Sequence, residues 1–307
     1  MRISIIGAGK VGGAIAYTLM IGGIQEIVLV DIDRDRACGE AQDLREGIPV
    51  LPFFPKIYAG DFSKISSSHI VIITAGEKRR PSDSRLDLLR NNARIMKQVI
   101  EKVVEYNRSC IIFIVSNPVD VLTYLALNQS GFSERRVFGL GTFLDTIRFK
   151  SALSEEVEVN PSELHALIIG EHGDSMVPVW SQTRIFGIPL CEYKRLDKAK
   201  MDEILKKTRN AGAEAILKKG GACFSVALAV SEVIWSIVLD RKKIIPVTSL
   251  LNGYYGISDV CLSVPTLIGK EGAEELIKIP LSREEKEGLR YSGSILKEKI
   301  GQLELNG

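Results

Sequence analysis

A chain of 307 residues, 45% of them hydrophobic, is long enough to bury a large core as one domain or two closely packed ones. A net charge of +2 with 25% charged residues describes an ordinary solvated surface, with no strong field directed at nucleic acid or a membrane. Cys38, Cys110, Cys191, Cys223 and Cys261 are odd in number and widely spaced without a CxxC pair, so neither a disulfide framework nor a zinc site is expected, and a reducing cytoplasm fits best. The chain enters a β-rich run, Arg2 to Ile6, directly after Met1, which leaves no room for a signal peptide. That run ends on glycines, and an apolar helical segment follows from Val11 to Met20. A second strand, Ile27 to Val30, ends at Asp31, and Lys56 to Ala59 is a weaker third. Ile70 to Ile73 and Ile111 to Val115 are apolar without polar alternation, the signature of strands buried on both faces of a parallel sheet. A helix is predicted between them from Leu86 to Tyr106, and Val137 to Leu140 is expected to close the sheet.

Strand and helix in alternation predict a doubly wound parallel α/β domain over residues 1–143. After about Leu144 the pattern changes. Leu164 to Ile169 reads as one strand leading into Gly170-Glu171-His172-Gly173-Asp174. Helical stretches near Lys198 to Lys218 and Ser225 to Leu239 precede strand-like pieces around Ile244 to Leu250 and Ser258 to Val264. A charged amphipathic helix closes the chain, with Ser282 as its N-cap and Glu285 three residues later. Residues 144–307 therefore read as an α+β domain packed against the first without a flexible linker. No uninterrupted apolar stretch approaches a bilayer span.

Gly7-x-Gly9-x-x-Gly12 follows the first strand and opens a helix. Gly7 permits the tight turn, Gly9 lets the backbone approach a pyrophosphate, and Gly12 lets helix and strand pack closely. The free N–H groups and dipole of the helix terminus favour phosphate there. Asp31, at the end of the second strand, is placed to accept hydrogen bonds from an adenosine ribose and to repel an additional phosphate, which selects NAD over NADP; Arg34 and Arg36 nearby soften that preference. Gly76 and Asn117-Pro118 sit at the carboxyl ends of the fourth and fifth strands, where ligands bind in such sheets.

With these elements in place the chain resembles the lactate/malate dehydrogenase family along essentially its whole length. The resemblance is carried by Gly7-Ala8-Gly9-Lys10-Val11-Gly12, by Thr74-Ala75-Gly76 with Arg85-Leu86-Asp87-Leu88-Leu89 downstream, and by Ser116-Asn117-Pro118-Val119-Asp120. It continues through Gly141-Thr142-x-Leu144-Asp145-Thr146-x-Arg148-Phe149 and Gly170-Glu171-His172-Gly173-Asp174-Ser175, all in the family's order. It implies that Gly7, Gly9, Lys10, Val11, Gly12, Asp31, Thr74, Ala75, Gly76, Asn92, Val115 and Asn117 surround NAD, with no metal. It implies a homodimer or homotetramer joined through cofactor-domain helices.

Moving a hydride to or from the second carbon of a hydroxyacid requires moving a proton on the oxygen, a task suited to histidine. The chain has three. His69 opens a strand and His165 alternates with apolar residues, both structural settings, while His172 lies in a glycine-flanked loop and matches the family's acid/base. By resemblance Asp145 orients the imidazole, Arg148 grips the substrate carboxylate, Arg85 polarises the carbonyl and Asn117 binds substrate and cofactor. Residues 77–85 correspond to a mobile loop that closes over substrate. The position that selects the substrate, counted back from Arg85 and anchored by Pro81, is Arg79, and an arginine there is expected to pair with a second carboxylate. The sequence reading is thus a malate dehydrogenase, converting malate and NAD to oxaloacetate and NADH, with L-lactate or another 2-hydroxyacid as the alternative. Glu171 and Trp180-Ser181 resemble the lactate branch, Ser82-Asp83 departs from the loop's usual glycine, and Cys223 stands where lactate enzymes carry a threonine. NAD-dependent glycosidases share the fold family but need a metal held with cysteine and histidine help, for which the sequence offers no pair. A non-catalytic NAD-binding module would lack catalytic positions, and here none is missing.

Overall fold

The structure, a computed structural model, describes residues 1–77 and 85–304. Six parallel strands, β1 (Arg2–Ile6), β2 (Glu26–Val30), β3 (Lys56–Ala59), β4 (Ile70–Ile73), β5 (Ile111–Ile114) and β6 (Val137–Gly139), alternate with helices α1 (Lys10–Ile21), α2 (Arg34–Glu46), α3 (Arg85–Tyr106) and α4 (Val119–Ser130). The remainder comprises α5 (Phe143–Val157), β7 (Leu164–His165), β8 (Ile168–Ile169), β9 (Val177–Pro178), β10 (Arg184–Ile185), β11 (Ile188–Pro189), α6 (Leu190–Tyr193), α7 (Lys198–Lys219) and α8 (Phe224–Val238). Two long strands, β12 (Lys243–Tyr254) and β13 (Ile257–Gly269), a short β14 (Gly272–Leu276) and the terminal helix α9 (Arg283–Glu304) complete it.

The apolar strands are buried on both faces because helices cover both. Ile3, Ile5, Ile27, Leu29, Ile70 and Ile72 point to one side, where Ile15 and Leu19 of α1 meet Val230 and Val233 of α8. Ile6, Val28, Val30, Val71 and Ile73 point to the other, against Met96, Ile100 and Val103 of α3 and Leu122 and Ala126 of α4. Successive strand residues alternate between the two cores, as a pleated strand demands. A helix from the second half of the chain, α8, thus packs over the first half's sheet.

Two expectations are corrected here. Val137 to Leu140 does not close the sheet: β12 pairs antiparallel with β6 through Thr248 and Gly139, giving among the described residues one nine-stranded sheet of order β14-β13-β12-β6-β5-β4-β1-β2-β3. Gly139 allows this junction, since a Cβ there would lie 2.4 Å from the Thr123 hydroxyl and 2.8 Å from Val119. The predicted strand Leu164 to Ile169 is two, because β7 pairs with β10 and β8 with β9 in different sheets. At the start of β8 the Ile168 N–H donates to Thr146 Oγ1 of α5 at 2.9 Å. The predicted N-cap of α9 forms a reciprocal capping box: Glu285 N–H donates to Ser282 Oγ at 3.2 Å and Ser282 N–H to Glu285 Oε2 at 2.7 Å.

Candidate active site

At the carboxyl ends of β1, β2, β4 and β5 the backbone leaves an anion cradle. Gly7 has φ +105°, and a Cβ on it would lie 2.7 Å from both Ala75 N and Thr74 Oγ1. Gly12 packs so close that its Cβ would sit 1.9 Å from the Gly7 carbonyl. A Cβ on Gly9 would meet nothing within 4 Å, so the space in front of it is open. Gly9 is the N-cap of α1 without a side-chain cap, and the first turn carries no acid, so the terminal N–H groups and dipole remain available to a phosphate. Lys10 is the first residue of α1, and Val11 and Val115 pack at the edge of the core beneath. These features fit the pyrophosphate of a dinucleotide.

Asp31 closes the cradle. Its Oδ2 accepts from Ala8 N at 2.6 Å and its Oδ1 from Asp33 N at 2.9 Å, so it also fixes the glycine turn. Arg36 approaches to 3.9 Å. On the opposite wall Thr74 Oγ1 donates to the Gly7 carbonyl at 2.8 Å, and Ser116 Oγ to the Ala75 carbonyl at 2.6 Å. Asn92 is a brace rather than a surface group: Oδ1 accepts from Glu77 N at 2.7 Å, and Nδ2 donates to the Asn117 carbonyl at 2.8 Å. It holds the Gly76 turn against exposed Asn117, whose bond to Pro118 is cis.

His172 lies in the loop after β8, opened by Gly170 at φ +90°. Asp145 and Arg148 share the first turns of α5, as their spacing of three implies. The structure joins all three. His172 Nδ1 is 2.5 Å from Asp145 Oδ2, and Arg148 Nη1 donates to Asp145 Oδ1 at 3.3 Å. Asp145 is only 1% exposed. Burial pulls the His172 imidazole down, but the charge and hydrogen bond of Asp145, with help from Asp120, outweigh it and leave its pKa raised. The other two histidines are exposed and elsewhere: the His69 imidazole accepts from Arg2 N, and His165 pairs with Arg184 between β7 and β10. Arg79 lies outside the described residues, and Arg85 is placed as the first residue of α3.

Sequence reasoning overlooked what supports this loop. His172 N–H donates to Asp120 Oδ2 at 2.8 Å, Thr248 Oγ1 donates to Asp120 Oδ1 at 2.5 Å, and Ser263 Oγ lies 3.0 Å from Thr248 Oγ1. Ser263 Oγ in turn accepts from Thr142 N, at the head of α5. Gly141 makes room for this chain, since a Cβ there would lie 2.0 Å from Ser263 Oγ. On the far side, buried Glu171 accepts from the Ser175 hydroxyl at 2.6 Å and pairs with Lys299 of α9. Burial pushes the Glu171 carboxyl up, but Lys299 and Ser175 bring it below its ordinary range. The sequence offered only isolated polar residues, Asp120, Thr248 and Ser263, within apolar segments, and nothing in it said that they meet.

Two family models cover the chain: the lactate/malate dehydrogenase NAD-binding domain over residues 1–139 and the α/β C-terminal domain of the same family over 142–305. The chain belongs to the lactate/malate dehydrogenase family. Its cofactor is NAD, and it is an NAD-dependent dehydrogenase acting on a small molecule. The L-lactate dehydrogenase of Acetivibrio thermocellus is 45% identical over 99% of this chain and 98% of its own. The minor L-lactate dehydrogenase of Enterococcus mundtii, solved with ligands bound, superposes with a TM-score of 0.96 at 34% identity, over 98% of each chain. The malate dehydrogenase of Archaeoglobus fulgidus in complex with NADH has a TM-score of 0.91 at 37% identity, over 99% of each.

These relatives overturn the malate reading drawn from Arg79. Similarity at the 45% level runs through the whole chain and leads to an L-lactate dehydrogenase. The malate reading rested on one loop position with a second arginine, Arg80, beside it and an opposing charge, Asp83, four residues on. The features that pointed the other way are built into the dehydrogenase: Glu171 is locked to Lys299, and Trp180 stands edge-on to Phe149 at 4.8 Å. Among the described residues no cluster of histidine, cysteine and carboxylate suited to a metal is present, and no helix is long and apolar enough to cross a membrane.

Proposed function

We propose that this chain is an L-lactate dehydrogenase, interconverting L-lactate and pyruvate with NAD. The supporting observation is an intact acid/base pair, His172 on Asp145 at 2.5 Å, in a chain 45% identical to an L-lactate dehydrogenase. In this reading residues 1–143 hold the cofactor and residues 144–307 supply the catalytic groups. Asp145 accepts from Nδ1–H of His172 and leaves Nε2 facing the substrate oxygen. Arg148, itself steadied by Asp145, meets the substrate carboxylate with its planar fork. Arg85 polarises the carbonyl, and Asn117 helps hold the substrate.

In pyruvate reduction the imidazolium of His172 gives its Nε2 proton to the carbonyl oxygen, which becomes the hydroxyl of lactate. The cofactor, when bound, supplies the hydride to the adjoining carbon. In the reverse direction neutral His172 takes the hydroxyl proton, and Asp145 stabilises the cation that results. Asp31 disfavours the extra phosphate of NADP. We further infer a homodimer or homotetramer, supported by exposed apolar side chains on two neighbouring helices, Tyr17 and Ile21 of α1 and Phe224 and Leu228 of α8.

The test is NADH oxidation with pyruvate and with oxaloacetate under identical conditions. We expect the higher kcat/KM with pyruvate. A preference for oxaloacetate overturns the reading.

A further inference from the structure

We propose that Asp120 is a positioning residue for proton transfer at His172: its buried carboxylate holds the loop backbone and gives the imidazole a second negative charge beside that of Asp145. The proposal rests on His172 being the acid/base.

Asp120 is the second residue of α4, 3% exposed, yet among the described residues no lysine or arginine pairs with it. Its oxygens are both used, one by the His172 N–H and one by the Thr248 hydroxyl. Burial pushes its carboxyl up to about 6, and Thr248 and His172 are the groups that pull it back toward ionisation. A buried charge with no cation is costly, and the two hydrogen bonds alone would not require one. An amide would serve them as well, its oxygen accepting from His172 N–H and its nitrogen donating to Thr248.

The charges facing His172 show what the carboxylate adds. From α5 come Asp145 and Arg148, opposite in sign and joined to each other. From its own loop come Glu171, matched by Lys299 of α9, and the exposed Asp174. Cys261 of β13, beside Asp120, is kept neutral by burial. With a neutral imidazole the group of buried Asp120 and Asp145 and half-buried Arg148 therefore carries one uncompensated negative charge, that of Asp120. Protonating His172 cancels it. Asp120 thus favours the imidazolium through the loop it anchors, without touching substrate.

The experiment follows the imidazole itself, by nuclear magnetic resonance of the full chain labelled with 15N-histidine. His172→Asn assigns the His172 signal against His69 and His165. Asp120→Asn is expected to lower the His172 midpoint by about one pH unit, the scale of an opposite charge at close range. The alkaline limb of kcat/KM for pyruvate reduction is expected to move down with it while NADH still binds. Thr248→Val, which removes the hydroxyl that keeps Asp120 ionised, is expected to shift the midpoint the same way by less. An unmoved midpoint in folded Asp120→Asn overturns the proposal; should that variant not fold, an unmoved midpoint in Thr248→Val does so. Because the readout needs no turnover, a wild type that titrates as expected but ignores pyruvate overturns the substrate reading and leaves this one standing.

Discussion

At the scale of single residues, His172 carries the heaviest assignment. Replacing it with asparagine keeps a polar side chain of similar size but leaves nothing that can exchange a proton near neutrality. His172→Asn is expected to bind NADH as before and to lose roughly 10²–10⁴-fold in kcat, measured by fluorescence titration and steady-state rates. The sign of the pH dependence follows from the raised imidazole pKa. Pyruvate reduction needs the cation, so its rate holds at low pH and falls as pH rises through that raised value; lactate oxidation rises through the same value. The stability that Asp145 lends by the His172 pair behaves as the reduction does, present at low pH and lost on the way up. His172, Asp145 and Arg148 were singled out in the sequence because the family's motifs run through them. The glycine-flanked setting of His172 agreed with that resemblance, while the helical spacing of three put Asp145 and Arg148 on one face but by itself described only an ordinary ion pair. Asp120 and Thr248 were not, since the bond between them joins positions 128 apart and leaves no local pattern.

Among the elements, α9 shows how a terminal helix is recruited to the site. Glu285 completes the capping box and also accepts from the Ser181 N–H at 2.9 Å and hydroxyl at 2.6 Å, while Lys299, four turns on, holds Glu171 beside His172. Ser282→Ala removes the hydroxyl half of that box and is expected to cost about 1 kcal/mol. Urea unfolding followed by circular dichroism measures it; a midpoint equal to wild type refutes the cap. The box itself was readable from Ser282 and Glu285. The strands were readable as apolar runs, but their partners were not. Nothing in Val137 to Leu140 states that its free edge receives β12, and nothing in Leu164 to Ile169 states that the run divides between two sheets. Pairing is decided by which segments arrive side by side, and that information is not local.

For the molecule as a whole, the exposed faces of α1 and α8 argue for assembly. Tyr17 is 54% exposed, Phe224 70% and Leu228 63%, on helices that pack against each other. Sedimentation velocity is expected to show a species of two or four chains. Phe224→Lys with Leu228→Lys is expected to shift it toward one chain, and a wild-type monomer at micromolar concentration would exclude the inference. The nine-stranded sheet has a consequence for how the protein is made. A ribosome releases β6 long before β12, and the interval is roughly a hundred residues, or about 5–20 s of synthesis. Until then β6 lacks its partner on that side, and for most of the interval α8, which covers one face of the sheet, is still to come; an unpaired strand edge is the kind that recruits strands from other chains. The pairing of Thr248 with Gly139 therefore closes, late in synthesis, an edge that would otherwise stay open to other chains.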